Sequence, residues 1–338
     1  MQALVNKIWY QGHPAKWLLM PLSWLFGLIT WLRRLGFSLG IKQAETLPVP
    51  VIVAGNITAG GSGKTPTVIY LIDLLRQHGY KPGVISRGYG VKINGVKSVN
   101  LTDKAVDVGD EPAMIVARTN VPMVVGAKRI DAAQKLLSDF DVDVIISDDG
   151  LQHYALARDI ELAIVDGQRR YGNECLIPAG PLREGIWRLN TIDWVINNGG
   201  SAQNDEVAMQ LAPCSLTRVD SAASSNTSSW QSEPAVAMAG IGNPQRFFDS
   251  LSALEYDIVQ THEFEDHQAF DKQALAQLSE ENPLIMTEKD AVKCRDFAQQ
   301  NWWYLPVNAK LNKSFDQAFL NRLEQVVKVK QGNLHGVR

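Results

Sequence analysis

A glycine-rich turn that runs into a Gly-Lys-Thr triplet is the clearest candidate for chemistry in this chain. The segment VIVAGNITAGGSGKTP, residues 51–66, starts with an apolar run typical of a strand, and Lys64 and Thr65 open a predicted helix. Backbone N–H groups of such a turn bind phosphate oxygens, the lysine reaches the β- and γ-phosphates, and the threonine hydroxyl holds Mg²⁺. Thr58 stands where the usual pattern G-x-x-x-x-G-K-[ST] has its first glycine. The predicted nucleotide site consists of Thr58, Ala59, Gly60, Gly61, Ser62, Gly63, Lys64 and Thr65.

Aspartates that follow predicted strands are the candidates for a second Mg²⁺ ligand. Asp148 and Asp149 follow the run VDVIIS, and Asp166 follows IELAIV. Adjacent carboxylates repel each other unless a cation lies beside them, which favours Asp148 and Asp149 as metal ligands. Asp166 precedes Gly167, and its simpler interpretation is a turn residue.

Alternating strands and helices must position these side chains. Apolar runs predict strands at 49–55, 142–149, 160–167 and 191–198, with one more near 83–86. Helical periodicity occupies 65–78, 111–118 and 128–139. Such alternation predicts an α/β fold, a doubly wound P-loop NTPase-like sheet with helices on both faces. A second set predicts a smaller α/β domain, with strands at 235–242, 283–290 and 302–307 and helices at 244–254, 290–298 and 314–330.

The length of 338 residues suggests two domains. Six serines among the thirteen residues 221–233 are typical of an exposed linker. The predicted division is a basic helical segment at 1–44, a phosphate-binding domain at 45–205, a polar linker at 206–234 and the smaller domain at 235–338.

Charge and cysteine content exclude several classes of protein. The formal net charge of −3 argues against a nucleic-acid-binding protein. Cys175, Cys214 and Cys294 are odd in number and far apart, which argues against a disulfide framework or a zinc site and fits a reducing cytosol. No obligate protein partner is evident from the sequence.

The amino-terminal segment differs from the rest of the chain in its charge and in its tryptophan spacing. Residues 1–44 hold five cations and no acid, and the sixteen residues 17–32 are uncharged. Trp17, Trp24 and Trp31 are seven residues apart, so on a helix they share one face. We expect residues 1–40 to form a helix in a membrane interface, because tryptophan favours that boundary and the cations favour anionic headgroups. The alternative is a buried helix with a tryptophan stripe against the core.

Short sequence blocks in a fixed order resemble a known family. They are GNITAGGSGKTP (55–66), SRGYG (86–90), GDEP (109–112), DDGLQH (148–153), PAGPLRE (178–184), AGIGNP (239–244), FEDH (264–267) and TEKD (287–290). Together they resemble the tetraacyldisaccharide 4′-kinase family, the lipid A 4′-kinases of Gram-negative bacteria. The resemblance implies transfer of the ATP γ-phosphate, with Mg²⁺, to the 4′-hydroxyl of a lipid A disaccharide 1-phosphate, which gives lipid IVA. It also implies work at the cytoplasmic face of the inner membrane.

The resemblance also implies roles for individual residues. Asp110 in GDEP resembles the catalytic aspartate and His267 in FEDH its partner, which would orient or polarise it; His262 is a lesser candidate. Lys64 takes part in phosphoryl transfer, and Asp148 and Asp149 resemble the acids that hold Mg²⁺. Arg183 is expected to neutralise charge on the transferring phosphoryl, or to form a structural ion pair near Glu184.

Other positions and other functions stay open from the sequence. Arg87 either contacts phosphate or ends a glycine turn, and Lys289 and Asp290 mark a helix start. The alternative function is a P-loop GTPase-like switch or metallochaperone, and a third is a non-catalytic ATP-binding scaffold at a membrane. The block TEKD lacks the register of the guanine-reading N-K-x-D pattern, which argues against the switch.

Overall fold

The computed structural model describes residues 2–203, 205–221 and 233–335. The helices are α1 (Gln2–Tyr10), α2 (Lys16–Ser38), α3 (Lys64–Gln77), α4 (Ala105–Val108), α5 (Asp110–Thr119), α6 (Arg129–Asp139), α7 (Pro244–Ala253), α8 (Lys272–Leu278), α9 (Glu288–Cys294) and α10 (Lys313–His335). Short 3₁₀ segments cover Ile186–Thr191 and Arg295–Phe297. The strands are β1 (Val51–Gly55), β2 (Pro82–Ser86), β3 (Val96–Ser98), β4 (Met123–Gly126), β5 (Val144–Asp148), β6 (Ile160–Asp166), β7 (Trp194–Asn198), β8 (Val207–Pro213), β9 (Thr217–Arg218), β10 (Ala235–Ala239), β11 (Ile258–Glu263), β12 (Leu284–Thr287), β13 (Trp302–Leu305) and β14 (Val307–Lys310).

The first sheet has nine strands in the order β14-β8-β7-β6-β1-β5-β2-β4-β3. The seven inner strands, from β8 to β4 in this order, run parallel to one another. The edge strands β14 and β3 pair antiparallel with β8 and β4. Side chains of α3, α5 and α10 form the core on one face, and those of α6 pack on the other. Both faces are therefore covered, as the near-continuous apolar strands require, and the predicted doubly wound α/β fold is confirmed.

The second sheet has five strands in the order β11-β10-β12-β13-β9. The four strands β11, β10, β12 and β13 run parallel to one another, and β9 pairs antiparallel with β13. Helix α7 packs on one face through Phe247 and Leu251, and α8 and α9 pack on the other through Leu275 and Ala291. This is the second, smaller α/β unit expected from the sequence.

The elements do not follow the predicted division of the chain at its carboxyl end. Strand β14 pairs with β8 in the first sheet, and α10 buries Phe319 and Leu323 in the core of that sheet. Residues 307–335 therefore pack with the first sheet, although the sequence places them in the smaller domain at 235–338. Pro306 lies between β13 and β14, and because proline cannot donate to a strand ladder, the pairing of β13 ends there.

The segment predicted as a polar linker, 206–234, also contains regular structure. Strand β8 joins the first sheet, where Met209 is buried, and β9 joins the second sheet. Most of the serine-rich stretch, residues 222–232, lies outside the described residues.

Parallel strand order determines where the loops of the first sheet meet. The carboxyl ends of β1, β5 and β7 lie at one edge, because these strands run in the same direction. The glycine-rich turn follows β1, Asp149 follows β5, and Asn198 ends β7. Ligands of open α/β sheets bind at this edge.

Candidate active site

The glycine-rich turn, residues 58–65, is called the phosphate turn below. It joins β1 to α3, and its backbone has positive φ at Gly60 (104°) and Gly63 (92°). A Cβ at Gly63 would lie 2.2 Å from the Asn198 amide nitrogen, so this position requires glycine for space as well as for conformation. Asn198 Nδ2 donates a hydrogen bond to the Ser62 carbonyl at 2.9 Å. Asn198 at the end of β7 therefore fixes the turn that leads to Lys64.

Lys64 and Arg183 both approach Asp149. Lys64 Nζ lies 3.9 Å from Asp149 Oδ1, and Arg183 Nη1 donates to both Asp149 oxygens at 3.0 and 2.9 Å. Burial would raise the pKa of the Asp149 carboxyl, but Lys64 and Arg183 outweigh it and hold the pKa below its ordinary value. Arg183 thus forms an ion pair within the site. The adjacent Glu184 accepts from Gln152 at 2.9 Å and lies 3.9 Å from Arg188 Nε.

Asp148 has an unusual environment for a carboxylate. It is fully buried, its Oδ2 accepts from the Ser86 hydroxyl at 3.2 Å, and its Oδ1 has no hydrogen-bond partner. Burial, together with the negative charges of Glu111 and Asp149, raises its pKa to about 7. A buried carboxylate oxygen without a partner is costly, and a cation would compensate it.

Asp166 is a turn residue, as its simpler interpretation predicts. Its Oδ1 accepts from the backbone N–H groups of Gln168 and Arg169 at 2.9 and 3.1 Å. These bonds stabilise the turn after β6 and satisfy the carboxylate.

Asp110 and His267 are brought together from the two sheets. Asp110 begins α5 directly after Gly109, whose φ is 100°, and His267 lies in the loop after β11 with φ 63°. His267 Nδ1 lies 3.0 Å from Asp110 Oδ2. The Tyr89 ring lies 5.2 Å from the His267 ring. The lesser candidate, His262, is on β11, and its Nε2 is buried without a hydrogen-bond partner.

Two lysines of α9 belong to the same cluster, although the sequence predicts only a helix start at Lys289 and nothing for Lys293. Lys289 Nζ lies 2.8 Å from Asp266 Oδ1 and 3.3 Å from His267 Nε2. Lys293 Nζ lies 3.8 Å from Asp110 Oδ2. The signal in the sequence is their i, i+4 spacing, which places both on one face of the helix.

Asp290 has a structural position at the start of α9, as predicted. It is completely buried and accepts from the Thr287 hydroxyl at 2.6 Å and from the Gly240 N–H at 2.9 Å. It thereby ties the start of α9 to the loop after β10. That loop approaches the phosphate turn, since a Cβ on Gly242 would lie 3.1 Å from the Gly61 nitrogen.

Glu111 connects the two halves of the site electrostatically. It is the second residue of α5, it contributes to the raised pKa of Asp148, and its carboxylate lies 4.0 Å from Lys289 Nζ. Glu111 therefore lies between the carboxylate–imidazole pair of Asp110 and His267 and the acids at the end of β5 in the electrostatics of the site.

Cations surround His153 at the end of the DDGLQH block. Burial, followed by the charges of Arg129 and Arg33, lowers the pKa of His153 to about 4. Arg33 belongs to α2, so the amino-terminal helix contributes charge to this side of the site. Arg87, which follows β2, is exposed and contributes to the same potential.

Helix α2 is attached to the body by one face and exposes the other. Ser23 is buried, donates to the Leu176 carbonyl at 2.8 Å and accepts from the Ala179 N–H at 2.9 Å. Trp17, Trp24 and Trp31 expose 68%, 67% and 55% of their surface, so the alternative that they pack in the core is wrong. None of the helices in the described ranges has the length and apolar character needed to cross a bilayer.

The alternative of a switch or metallochaperone finds no support in the site. The block TEKD ends β12 and begins α9, and β12 belongs to the second sheet and not to the sheet that carries the phosphate turn. Among the described residues, no three His, Cys, Asp or Glu side chains converge in a way that could hold a metal ion.

Comparison with known proteins gives one consistent result. The family model for "Tetraacyldisaccharide-1-P 4′-kinase" matches residues 15–324. Tetraacyldisaccharide 4′-kinases of Shewanella frigidimarina and Shewanella oneidensis are 70% and 64% identical to the chain, and each alignment covers all of both proteins. A crystal structure of LpxK from Aquifex aeolicus in complex with ATP has a TM-score of 0.78 at 26% identity, covering 91% of this chain and 99% of that one. The chain belongs to the tetraacyldisaccharide-1-P 4′-kinase family.

Proposed function

We propose that this protein transfers the γ-phosphate of ATP to the 4′-hydroxyl of a tetraacylated lipid A disaccharide 1-phosphate. The observation that carries the proposal is the Asp110–His267 contact of 3.0 Å. The loop that carries His267 lies near the phosphate turn, since a Cβ on Gly242 would lie 3.1 Å from the Gly61 nitrogen and 3.8 Å from Asp266 Oδ2. A nucleotide-hydrolysing switch needs no carboxylate–imidazole pair for a sugar hydroxyl, whereas a kinase needs a proton acceptor next to the γ-phosphate. Membership of the 4′-kinase family names the acceptor hydroxyl.

The phosphate turn supplies the phosphate-binding groups. Its backbone N–H groups and the amino terminus of α3 bind phosphate oxygens, and Lys64 reaches the β- and γ-phosphates. Arg183, which lies against Asp149, is available to neutralise charge as the phosphoryl group leaves ADP. Lys64 and Arg183 are therefore the side chains proposed to stabilise negative charge in the transition state.

The residues beside the turn fit Mg²⁺. Asp148 Oδ1 is a buried acceptor without a partner, and Mg²⁺ is commonly held by one or two carboxylates together with substrate phosphates. Asp148, Asp149 and the Thr65 hydroxyl would hold the ion, which when bound neutralises charge on the phosphate oxygens.

Asp110 accepts the proton of the sugar hydroxyl in the proposed reaction. The 4′-oxygen forms a bond to the γ-phosphorus, the bond from that phosphorus to the bridging oxygen of ADP breaks, and the hydroxyl proton passes to Asp110. His267 holds the Asp110 carboxylate in place through its Nδ1.

The exposed tryptophan face of α2 supports a position at a membrane surface. A tetraacylated disaccharide stays in a bilayer, so the enzyme must come to it. Trp17, Trp24 and Trp31 are exposed, and the segment 1–44 is basic, which suits an interface rich in anionic headgroups. Because ATP is the donor, we assign the reaction to the cytoplasmic face of the inner membrane.

A direct assay tests the proposed function. [γ-³²P]ATP is incubated with lipid A disaccharide 1-phosphate in detergent micelles, and the position of the label on the product is determined. We expect label on the 4′-oxygen. Asp110→Ala and His267→Ala are expected to lower kcat more than they change KM for ATP, and their combination to be far from additive. GTP hydrolysis without any lipid requirement would contradict the proposal.

A further inference from the structure

The histidine of the Asp110–His267 pair has a second partner on its other ring nitrogen. His267 Nδ1 faces Asp110 Oδ2 at 3.0 Å, and His267 Nε2 faces Lys289 Nζ at 3.3 Å. Lys289 also donates to Asp266 Oδ1 at 2.8 Å, so its ammonium is held between an imidazole and a carboxylate. We propose that Lys289 is a positioning residue that fixes His267 as the neutral Nδ1–H tautomer and thereby leaves Asp110 as the proton acceptor. The catalytic part of this proposal rests on the proposed kinase function.

The donor properties of lysine determine the tautomer. An ammonium group has three N–H donors and no acceptor, so it can approach a ring nitrogen only as a donor. Burial alone would lower the pKa of Lys289, but Glu111 and Asp266 outweigh it, and the pKa lies above its ordinary value. Lys289 is therefore a cation, and Nε2 is the accepting nitrogen. The single ring proton is then on Nδ1, which donates to Asp110.

The same contact decides which member of the pair takes the substrate proton. In a serine–histidine–aspartate triad the imidazole is the base, because its Nε2 is free to accept a proton. Here Nε2 of His267 already accepts from Lys289. His267 therefore orients a carboxylate, and Asp110 is the group left with basic oxygen.

Charges around the ring show why a cation is required at this position. Asp110 faces Nδ1, and Asp266 Oδ1 lies 3.8 Å from Nε2. Two carboxylates flanking an imidazole favour its doubly protonated form. Lys289 opposes that form by its own charge and by occupying Nε2. The other titratable neighbours are Glu111, 4.0 Å from Lys289 Nζ, Lys293, 3.8 Å from Asp110 Oδ2, and Tyr89, whose ring lies 5.2 Å from the His267 ring.

Removal of the ammonium has a predictable chemical result. In Lys289→Met the side-chain stem keeps its packing, but Nε2 and Asp266 lose their donor. Nε2 is then free to accept a proton, and a proton at that nitrogen weakens Asp110 as a base. Since the contacts of Lys289 lie with Asp266, His267 and Glu111, we expect kcat to change and KM for ATP to stay within about twofold.

The test measures the ring and the reaction separately. ¹⁵N shifts of the His267 imidazole, assigned by comparison with His267→Gln, report the tautomer and charge of the full-length protein between pH 6 and 9. We expect Nδ1–H neutral imidazole in the wild type and imidazolium at the acid end in Lys289→Met. On the acid limb of its pH profile, kcat should fall by about tenfold in that variant. Lys289→Arg, which keeps charge and donors, should restore the wild-type limb.

Lys104→Met is the matched control, because it also removes a lysine from an ion pair, the exposed contact with Asp296 at 2.6 Å. It should leave the His267 shifts and the pH profile unchanged. A wild-type Nε2–H tautomer, or identical shifts in wild type and Lys289→Met, would overturn the proposal. If Lys289→Met does not fold, the tautomer of His267 in the wild type and the pH profile of kcat in Lys289→Arg still test the proposal. The ring measurement needs no kinase activity. It can therefore contradict the proposal about Lys289 whether or not the proposed kinase function is correct.

Discussion

Replacement of Asn198 by alanine tests whether the end of β7 sets the geometry of the phosphate turn. Asn198 Nδ2 donates to the Ser62 carbonyl at 2.9 Å, and Asn198 Oδ1 accepts from Arg246 Nη2 of α7 at 2.8 Å. Both Asn198 and Ser62 are buried. The asparagine therefore links a helix of the second sheet to the turn that is expected to bind phosphate.

The size of the effect follows from the buried carbonyl. A buried acceptor that loses its partner costs about 1–3 kcal/mol. The free protein avoids this cost if the turn moves until water reaches the Ser62 carbonyl, and ATP binding must then reverse the movement. The cost then appears in binding, and we expect KM for ATP to rise about 5- to 150-fold, since each 1.4 kcal/mol is about tenfold. The chemical step is affected less, because Asn198 contacts the turn and not Asp110.

Steady-state kinetics in ATP, with the lipid acceptor saturating, measure this change. Asn197 is the matched control, since it is equally buried but neither polar atom of its side chain has a hydrogen-bond partner within the described structure. Asn197→Ala should leave KM for ATP within about twofold. In a double-mutant cycle, Arg246→Ala should raise KM in the wild-type background and have little further effect beside Asn198→Ala. Equal KM values for Asn197→Ala and Asn198→Ala, or fully additive effects with Arg246→Ala, would refute the reasoning.

Three further expectations concern other parts of the molecule. Lys64→Ala should abolish phosphoryl transfer in the radiolabel assay while the circular dichroism spectrum and the unfolding midpoint stay close to wild type; near-normal turnover would show that Lys64 does not bind the transferred phosphate. Because burial and arginines lower the pKa of His153 to about 4, the folded state gains no proton there as the pH falls from 6.5, whereas the unfolded state does. The free energy of unfolding of the wild type in urea should therefore decrease as the pH falls from 6.5 to 4, and that of His153→Gln should decrease less. A larger decrease in the variant would contradict the predicted direction of the pH effect. The triple change of Trp17, Trp24 and Trp31 to alanine should weaken sedimentation with anionic lipid vesicles and leave activity on a detergent-dispersed acceptor largely intact, whereas unchanged sedimentation would place the membrane contact elsewhere.

Much of the first sheet could be predicted from the sequence because its strands are buried on both faces. Continuous apolar runs identify β1, β5, β6 and β7 to within a few residues of their ends. Strand β8 alternates buried Met209 with more exposed neighbours and lies in a polar region, so composition alone assigns it to a linker. Strand β14 could not be separated from β13 in the run WWYLPV, because the consequence of Pro306 depends on which edge is free to pair.

Some residues of the site are apparent from one segment of the sequence, whereas others depend on contacts between distant segments. The phosphate turn is one contiguous segment whose glycine positions follow from local conformation, so its residues are apparent in the sequence. The Asp110–His267 contact joins residues 157 positions apart, and only the resemblance to a family suggested it. Asn198, Glu111 and Lys289 act through contacts between separate elements. Glu111 and Lys289 lie in the GDEP and TEKD blocks, and helical spacing places Lys289 beside Lys293, but none of these patterns identifies the partner across the fold.

Placing the phosphate turn and His267 on different sheets makes the contacts between the sheets part of the site. Arg246 of α7 donates to Asn198 at 2.8 Å, and Arg169 after β6 donates to the Gly242 carbonyl at 2.8 Å, beside the phosphate turn. Arg118 of α5 pairs with Glu288 at the start of α9 at 2.6 Å. The first two contacts reach the groups expected to hold phosphate, and the third joins the helix that begins with Asp110 to the helix that carries Lys289. The phosphate turn and the carboxylate–imidazole pair therefore both depend on contacts between the two sheets, and substitutions at Arg246 or Arg118 are expected to affect more than local packing.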